Sequence, residues 1–145
     1  MIITKEVQAP ASFVFDKLIE SSKFDIKKQT GKRLNLKQMK DFEYVKSFSK
    51  NQKARIKIID VVENEIYSFK TSTTVTEYTT TYSIEAKDET SCVVSCKEEK
   101  VSQGFFQNLN DQVVGFVLGR AKKKQIIAIF DEMGKQYAEK EMENN

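Results

Sequence analysis

The chain has 145 residues, 39% hydrophobic and 31% charged, with 24 Lys and Arg against 21 Asp and Glu. Length and composition fit one globular domain with a real core, and no window approaches the roughly eighteen consecutive apolar residues of a membrane span. A net charge of +3 is too balanced to argue for nucleic acid, whose binders gather a basic excess on one face.

The first residues, Met1-Ile2-Ile3-Thr4-Lys5-Glu6, lack the basic region and apolar stretch of a signal peptide, so the expected location is the cytoplasm. Ile2 to Gln8 alternates weakly and reads as a first strand. Pro10 suits the opening of a helix, where its missing N–H is no loss. Val14, Phe15, Leu18 and Ile19 then recur at spacings of three and four. Ser22 with Asp25 three residues on resembles a capping box and predicts a second short helix, anchored by Phe24 and stopped at Gly31. Arg33 to Met39 suits a strand or an irregular segment.

From Phe42 the period changes to two. Phe42, Tyr44 and Phe48 share a face, with Lys46 among them. Lys50-Asn51-Gln52 predicts a turn. Ile56, Ile58 and Val62 share the next face, interrupted by Asp60, while Ile59 and Val61 fall on the other. That double-sided patch marks a bulge or a strand covered on both sides. After the turn Glu63-Asn64-Glu65, Tyr67, Phe69 and Thr71 face one way. Tyr78, Thr80, Tyr82, Ile84 and Ala86 form the cleanest alternation, and Lys87-Asp88-Glu89 turns it into a strand of Cys92, Val94 and Cys96. Short turns between consecutive strands imply an antiparallel meander.

From Gln103 to Glu141 the chain has no proline and is apolar at helical spacing. Phe106, Leu109, Val113, Phe116 and Val117 form one stripe, which also carries Arg120 and Lys124. Ile126, Ile127, Phe130, Met133 and Tyr137 form a second stripe, rotated by roughly a quarter turn. Gly115 and Gly119 just precede the change, and glycine weakens a helix interior by about 1 kcal/mol, so a bend is expected there. Phe116 is expected to be buried against the sheet. The expected extent is a single domain over 1–141, with 142–145 a frayed tail.

There is no histidine, which removes the commonest general base and the commonest metal ligand together. Cys92 and Cys96 are the only cysteines. On one strand their Cα atoms stand roughly 13 Å apart at about 3.3 Å per residue, too far for a disulfide. They read as small buried hydrophobes, and two thiols without histidine make no zinc site. No catalytic residue, metal or cofactor is assigned.

The order of strand, two short helices opened by Ala9-Pro10-Ala11-Ser12, antiparallel meander and long C-terminal helix resembles the START-like superfamily, with its birch-pollen-allergen-like and polyketide-cyclase-like members. Phe13-Val14-Phe15-Asp16-Lys17-Leu18 behind Pro10 and the basic cluster Arg120-Ala121-Lys122-Lys123-Lys124 add to the likeness, which covers nearly the whole chain. Within the superfamily the chain looks most like short, lysine-rich proteins of Gram-positive bacteria. The resemblance implies an α+β helix-grip fold: a curved antiparallel sheet of six or seven strands wrapped around the long helix, with a cavity between them. It transfers no catalytic residue.

The aromatic set Tyr44, Phe48, Tyr67, Phe69, Tyr78 and Tyr82 either lines such a cavity or packs as a core with its hydroxyls at the sheet margin. Tyr67, Tyr78 and Tyr82 are expected where sheet and helix diverge. Lys46, Asp60, Arg120 and Lys124 are charges on otherwise inward stripes. Arg120 or Lys46 meets a ligand carboxylate or phosphate there, unless a bulge or bend turns each to solvent. The cluster Arg120 to Lys124 reads as a solvated helix face, without the interleaved aromatics that stack on bases. The Gly115 to Gly119 spacing matches membrane helix pairs but lies in no span.

Ligand-cavity candidates are therefore Tyr44, Phe48, Tyr67, Phe69, Tyr78, Tyr82, Phe116 and Arg120. The expected partner is a small hydrophobic or amphipathic molecule, with no nucleic acid and no stable membrane insertion. The sequence leaves oligomeric state open. The alternative is a regulatory protein-interaction module with a filled core and no ligand. An enzyme ranks third, because acid–base chemistry would fall to Tyr, Asp, Glu or Lys alone.

Overall fold

The computed structural model describes residues 2–101 and 109–143, with the side chains of 2–100 and 123–143. Six strands make one sheet: β1 (Ile2–Val7), β2 (Glu43–Ser49), β3 (Gln52–Val62), β4 (Ile66–Ser72), β5 (Glu77–Ala86) and β6 (Cys92–Val101). Its order is β1-β6-β5-β4-β3-β2, with every neighbouring pair antiparallel. Among the described residues three helices complete the fold: α1 (Ala11–Thr30), α2 (Leu36–Met39) and α3 (Leu109–Glu143). The expected meander is β2 to β6, and β1 pairs back onto β6 at the far edge. The helix start expected near Gln103, and the first-stripe residues Phe106, Leu109, Val113, Phe116 and Val117, lie outside the described residues or side chains.

The segment read as two helices is one. Val14, Phe15, Leu18, Ile19, Ser22 and Ile26 are all buried at spacings of three and four, so a single apolar stripe runs through Ser22. Ser22 does not cap a helix, because its hydroxyl is engaged by the sheet. Phe24 does not anchor the helix either; it is 71% exposed. Gly31 is the stop: it adopts φ 77°, a left-handed conformation that favours glycine, and its N–H donates to the Lys27 carbonyl at 2.8 Å. The real capping box lies further on. Asn35 Oδ1 accepts from the Gln38 N–H at 3.0 Å and Gln38 Oε1 accepts from the Asn35 N–H at 2.9 Å. It opens α2 in the stretch whose form was ambiguous.

Two bulges set which side chains face the helices. The register of β3 on β4 shifts between Ile58 and Asp60, so Ile58 pairs with Phe69 but Val61 pairs with Tyr67. The extra residue keeps Ile58 and Val61 on the inner face and turns Asp60 to the other, opposite Ser68. The second shift, between Ser47 and Ser49 of β2, falls at Phe48 and leaves it 56% exposed.

α3 packs on β1 and α1, and an ion pair from Lys5 to Asp131 ties it to β1. Ile126, Phe130 and Met133 are buried, with Ile127 and Tyr137 packed beside them, so the second stripe is the gripping one in this half of the helix. Phe130 meets Tyr82 edge-on, ring centroids 6.3 Å apart. Cys92 and Cys96 are buried thiols outside any disulfide, on one face of β6 and flanking Val94, and burial pushes the Cys92 thiol up to about 11.

Candidate functional site

A cavity of about 320 Å³ lies between α1, the second half of α3 and the inner face of β2 to β5. Each wall follows from local periodicity. α1 contributes Leu18 and Ser22 from its buried stripe and Lys17, Ser21 and Asp25 from the flank beside it. β2 to β5 contribute alternate residues, among them Tyr44, Ile56, Tyr67, Phe69 and Tyr82, because side chains two apart share a sheet face. α3 contributes Ile129 and Met133, one turn apart.

Five of the candidate residues come together here: Tyr44, Phe48, Tyr67, Phe69 and Tyr82. Tyr67 stacks on Tyr82 with centroids 6.5 Å apart and tilts against Phe69 at 5.5 Å. Tyr78 shares their face but is not among the lining residues; it pairs with Thr71 and Lys100 towards the other end of β5. Phe116 and Arg120 lie outside the described side chains.

The polar side of the cavity belongs to α1, and the sequence reading missed it. Tyr44 donates its hydroxyl to Asp25 Oδ2 at 2.6 Å, and Lys46 Nζ lies 3.3 Å from the same oxygen. One turn earlier, Ser22 Oγ and the Tyr67 hydroxyl share a buried hydrogen bond of 2.5 Å. The Tyr44 and Tyr67 hydroxyls thus turn to the helix rather than to the sheet margin. Lys46 lines the cavity in partnership with Asp25, its side chain one-third exposed. The spacing Ser22, Asp25 was visible in the sequence, but capping chemistry uses the same residues, and only a facing strand tells the two apart.

Burial and the Asp25 carboxylate hold the Tyr44 phenol far above its ordinary value. Burial pushes Tyr67 up to about 12, with the Ser22 bond acting the other way. Burial, then Cys96, holds the Tyr82 phenol far above its ordinary value. At neutral pH these phenols stay protonated, so the wall carries hydroxyls and no tyrosinate. Among the described residues, no three His, Cys, Asp or Glu side chains gather as a metal site. No helix of the described residues is long and apolar enough to cross a membrane.

The same architecture recurs in solved structures. Ara h 8.0201 superposes with a TM-score of 0.60 at 13% identity, covering 96% of this chain and 98% of its own. Norcoclaurine synthase from Thalictrum flavum, in complex with dopamine and hydroxybenzaldehyde, gives 0.57 at 12% identity over 89% of this chain and 85% of its own. DynU16, a protein of the dynemicin biosynthetic locus, gives 0.57 at 10% identity over 96% of this chain, which spans 46% of the DynU16 chain. At these identities the likeness is one of fold, and the fold alone fixes no activity. A comparison with curated proteins finds no match. Residues 1–119 match the family described as Domain of unknown function (DUF3284), so the chain belongs to that family and has the helix-grip fold of the START-like superfamily.

Proposed function

We propose that the protein binds a small, mostly apolar molecule with one polar end in the cavity between α1, α3 and the sheet. The observation that carries this reading is the division of the cavity wall. Leu18, Ile56, Phe69 and Met133 are apolar, while Ser22, Asp25, Tyr44, Lys46 and Tyr67 place hydroxyls and one charged pair on the α1 side. Ligand sites are concave, largely apolar and carry a few placed polar groups, and about 300 Å³ is the lower end of their range. A compact fatty-acid-like or aromatic molecule fits that size and chemistry. A fold precedent is the norcoclaurine synthase complex with two small aromatic molecules. The hollow supports this reading over a filled-core interaction module. Two buried cysteines outside any disulfide suit a reducing compartment such as the cytoplasm.

The test is titration with an apolar fluorescent probe. The chain has no tryptophan, so the protein background is low. Saturable one-to-one binding is expected, weakened at least tenfold when Tyr82→Trp fills part of the space. Non-saturating binding, indifferent to Tyr82→Trp, would overturn the reading.

A further inference from the structure

The cations of this chain are unevenly placed. Between Lys23 and Lys57 stand twelve Lys and Arg against three Asp and Glu, so the remainder, with twelve cations and eighteen anions, is net acidic. The overall +3 hides this division. The basic segment comprises the end of α1, α2, β2 and half of β3, at the sheet edge beside the cavity.

Three cavity-lining residues are also exposed and so mark its mouth: Ser21 on α1, Phe48 on β2 and Ile129 on α3, the last 48% exposed. At about 100° per residue, Phe24 and Lys28 fall on the same flank of α1 as Lys17 and Ser21. On the β2 side, Lys46 Nζ sits 5.4 Å from the Phe48 ring centroid, and Lys50 is exposed in the next turn. Gln29 of α1 reaches the Ser47 N–H at 3.2 Å, so the two basic, aromatic flanks adjoin. Anions near the rim are Glu20, 3.7 Å from Lys17, Asp25, already engaged by Tyr44 and Lys46, and the exposed Glu132, three residues beyond Ile129 on α3.

We propose that this rim docks the protein peripherally on an anionic lipid bilayer. Phe24, Phe48 and Ile129 enter the headgroup region while Lys28 and Lys50 face lipid phosphates. Exposed large apolar side chains ringed by cations combine the two attractions that peripheral binding uses: apolar burial at the acyl boundary and charge against an anionic surface. Lysine stems extend along such a boundary and keep the ammonium in water. Single-stranded nucleic acid, which also takes aromatics among cations, fits less well. Ile129 has no ring to stack. Ten of the twelve cations are Lys rather than Arg, the side chain that reads planar groups. The inference concerns the rim and stands without any cavity ligand.

Flotation of the full chain with phosphatidylcholine vesicles, with and without phosphatidylglycerol, tests it. Binding is expected only with phosphatidylglycerol and should fade at high salt. Each lysine near an anionic bilayer contributes about fivefold to partitioning, so Lys28→Glu with Lys50→Glu should weaken binding at least about 25-fold. Phe24→Ser should weaken it without altering charge. Those three positions are not among the cavity-lining residues, so titrating the same variants with the apolar probe separates failure of the rim from failure of the cavity reading. Equal binding to neutral vesicles, wild-type binding by the variants, or capture of a single-stranded oligonucleotide in place of vesicles would each overturn the proposal.

Discussion

Replacing Phe130 by alanine tests how firmly α3 is held against the sheet. Phe130 is 1% exposed, lies between Ile126 and Met133 on the buried stripe, and meets the Tyr82 ring at an interplanar angle of 80°. Truncating a fully buried phenylalanine costs about 3–5 kcal/mol, from lost transfer energy and from the void left behind. The edge-on contact with Tyr82 supplies about 0.5–1.5 kcal/mol of that. For a chain of this size each kcal/mol lowers Tm by about 4 °C, so a fall of about 12–20 °C is expected. Urea unfolding followed by far-UV circular dichroism measures the loss directly, as a lower midpoint with an unchanged slope. Phe130→Leu, which keeps most of the volume, should cost less than about 1.5 kcal/mol. A loss below about 1 kcal/mol for the alanine variant would refute the claim that this part of the helix grips the sheet.

The Ser22–Tyr67 bond should behave as a coupled pair: Tyr67→Phe leaves the buried Ser22 hydroxyl without that partner and should cost about 1–3 kcal/mol. Adding Ser22→Ala to it should cost clearly less than the two single losses together, and strict additivity in urea unfolding would show the bond to be idle. Tyr44, Tyr67 and Tyr82 all have folded-state values raised above the unfolded 10.0, so the protonated form is favoured by folding. Their contribution to stability is full below pH 10 and is lost as pH rises from there through about 12, the Tyr67 value. Tyrosinate absorbance should therefore rise late and together with unfolding, and full ionisation near pH 10 in a folded chain would contradict the burial argument. Cys92 and Cys96 should resist a thiol reagent in the native state and react on unfolding, because both are buried and the Cys92 thiol is pushed up to about 11. Prompt native-state labelling would show that the sheet opens at β6.

The sequence by itself determined the strand faces and the order of the strands. Period-two alternation put Tyr67, Phe69 and Tyr82 on one face, and the broken alternation at Asp60 was the bulge. The mark left by Gly31 was equally local, since a left-handed stop is a property of one residue. Tertiary structure decided everything that depends on a partner. Ser22 reads as a cap until Tyr67 lies 2.5 Å away, and then the helix runs on past it. Asp25 lies nineteen residues before Tyr44 and further still before Lys46, yet one of its oxygens receives both. Phe24 and Phe48 carry the same side chain as Phe130, and periodicity could not say which ring meets water, because exposure is set by what packs opposite and not by the residue itself.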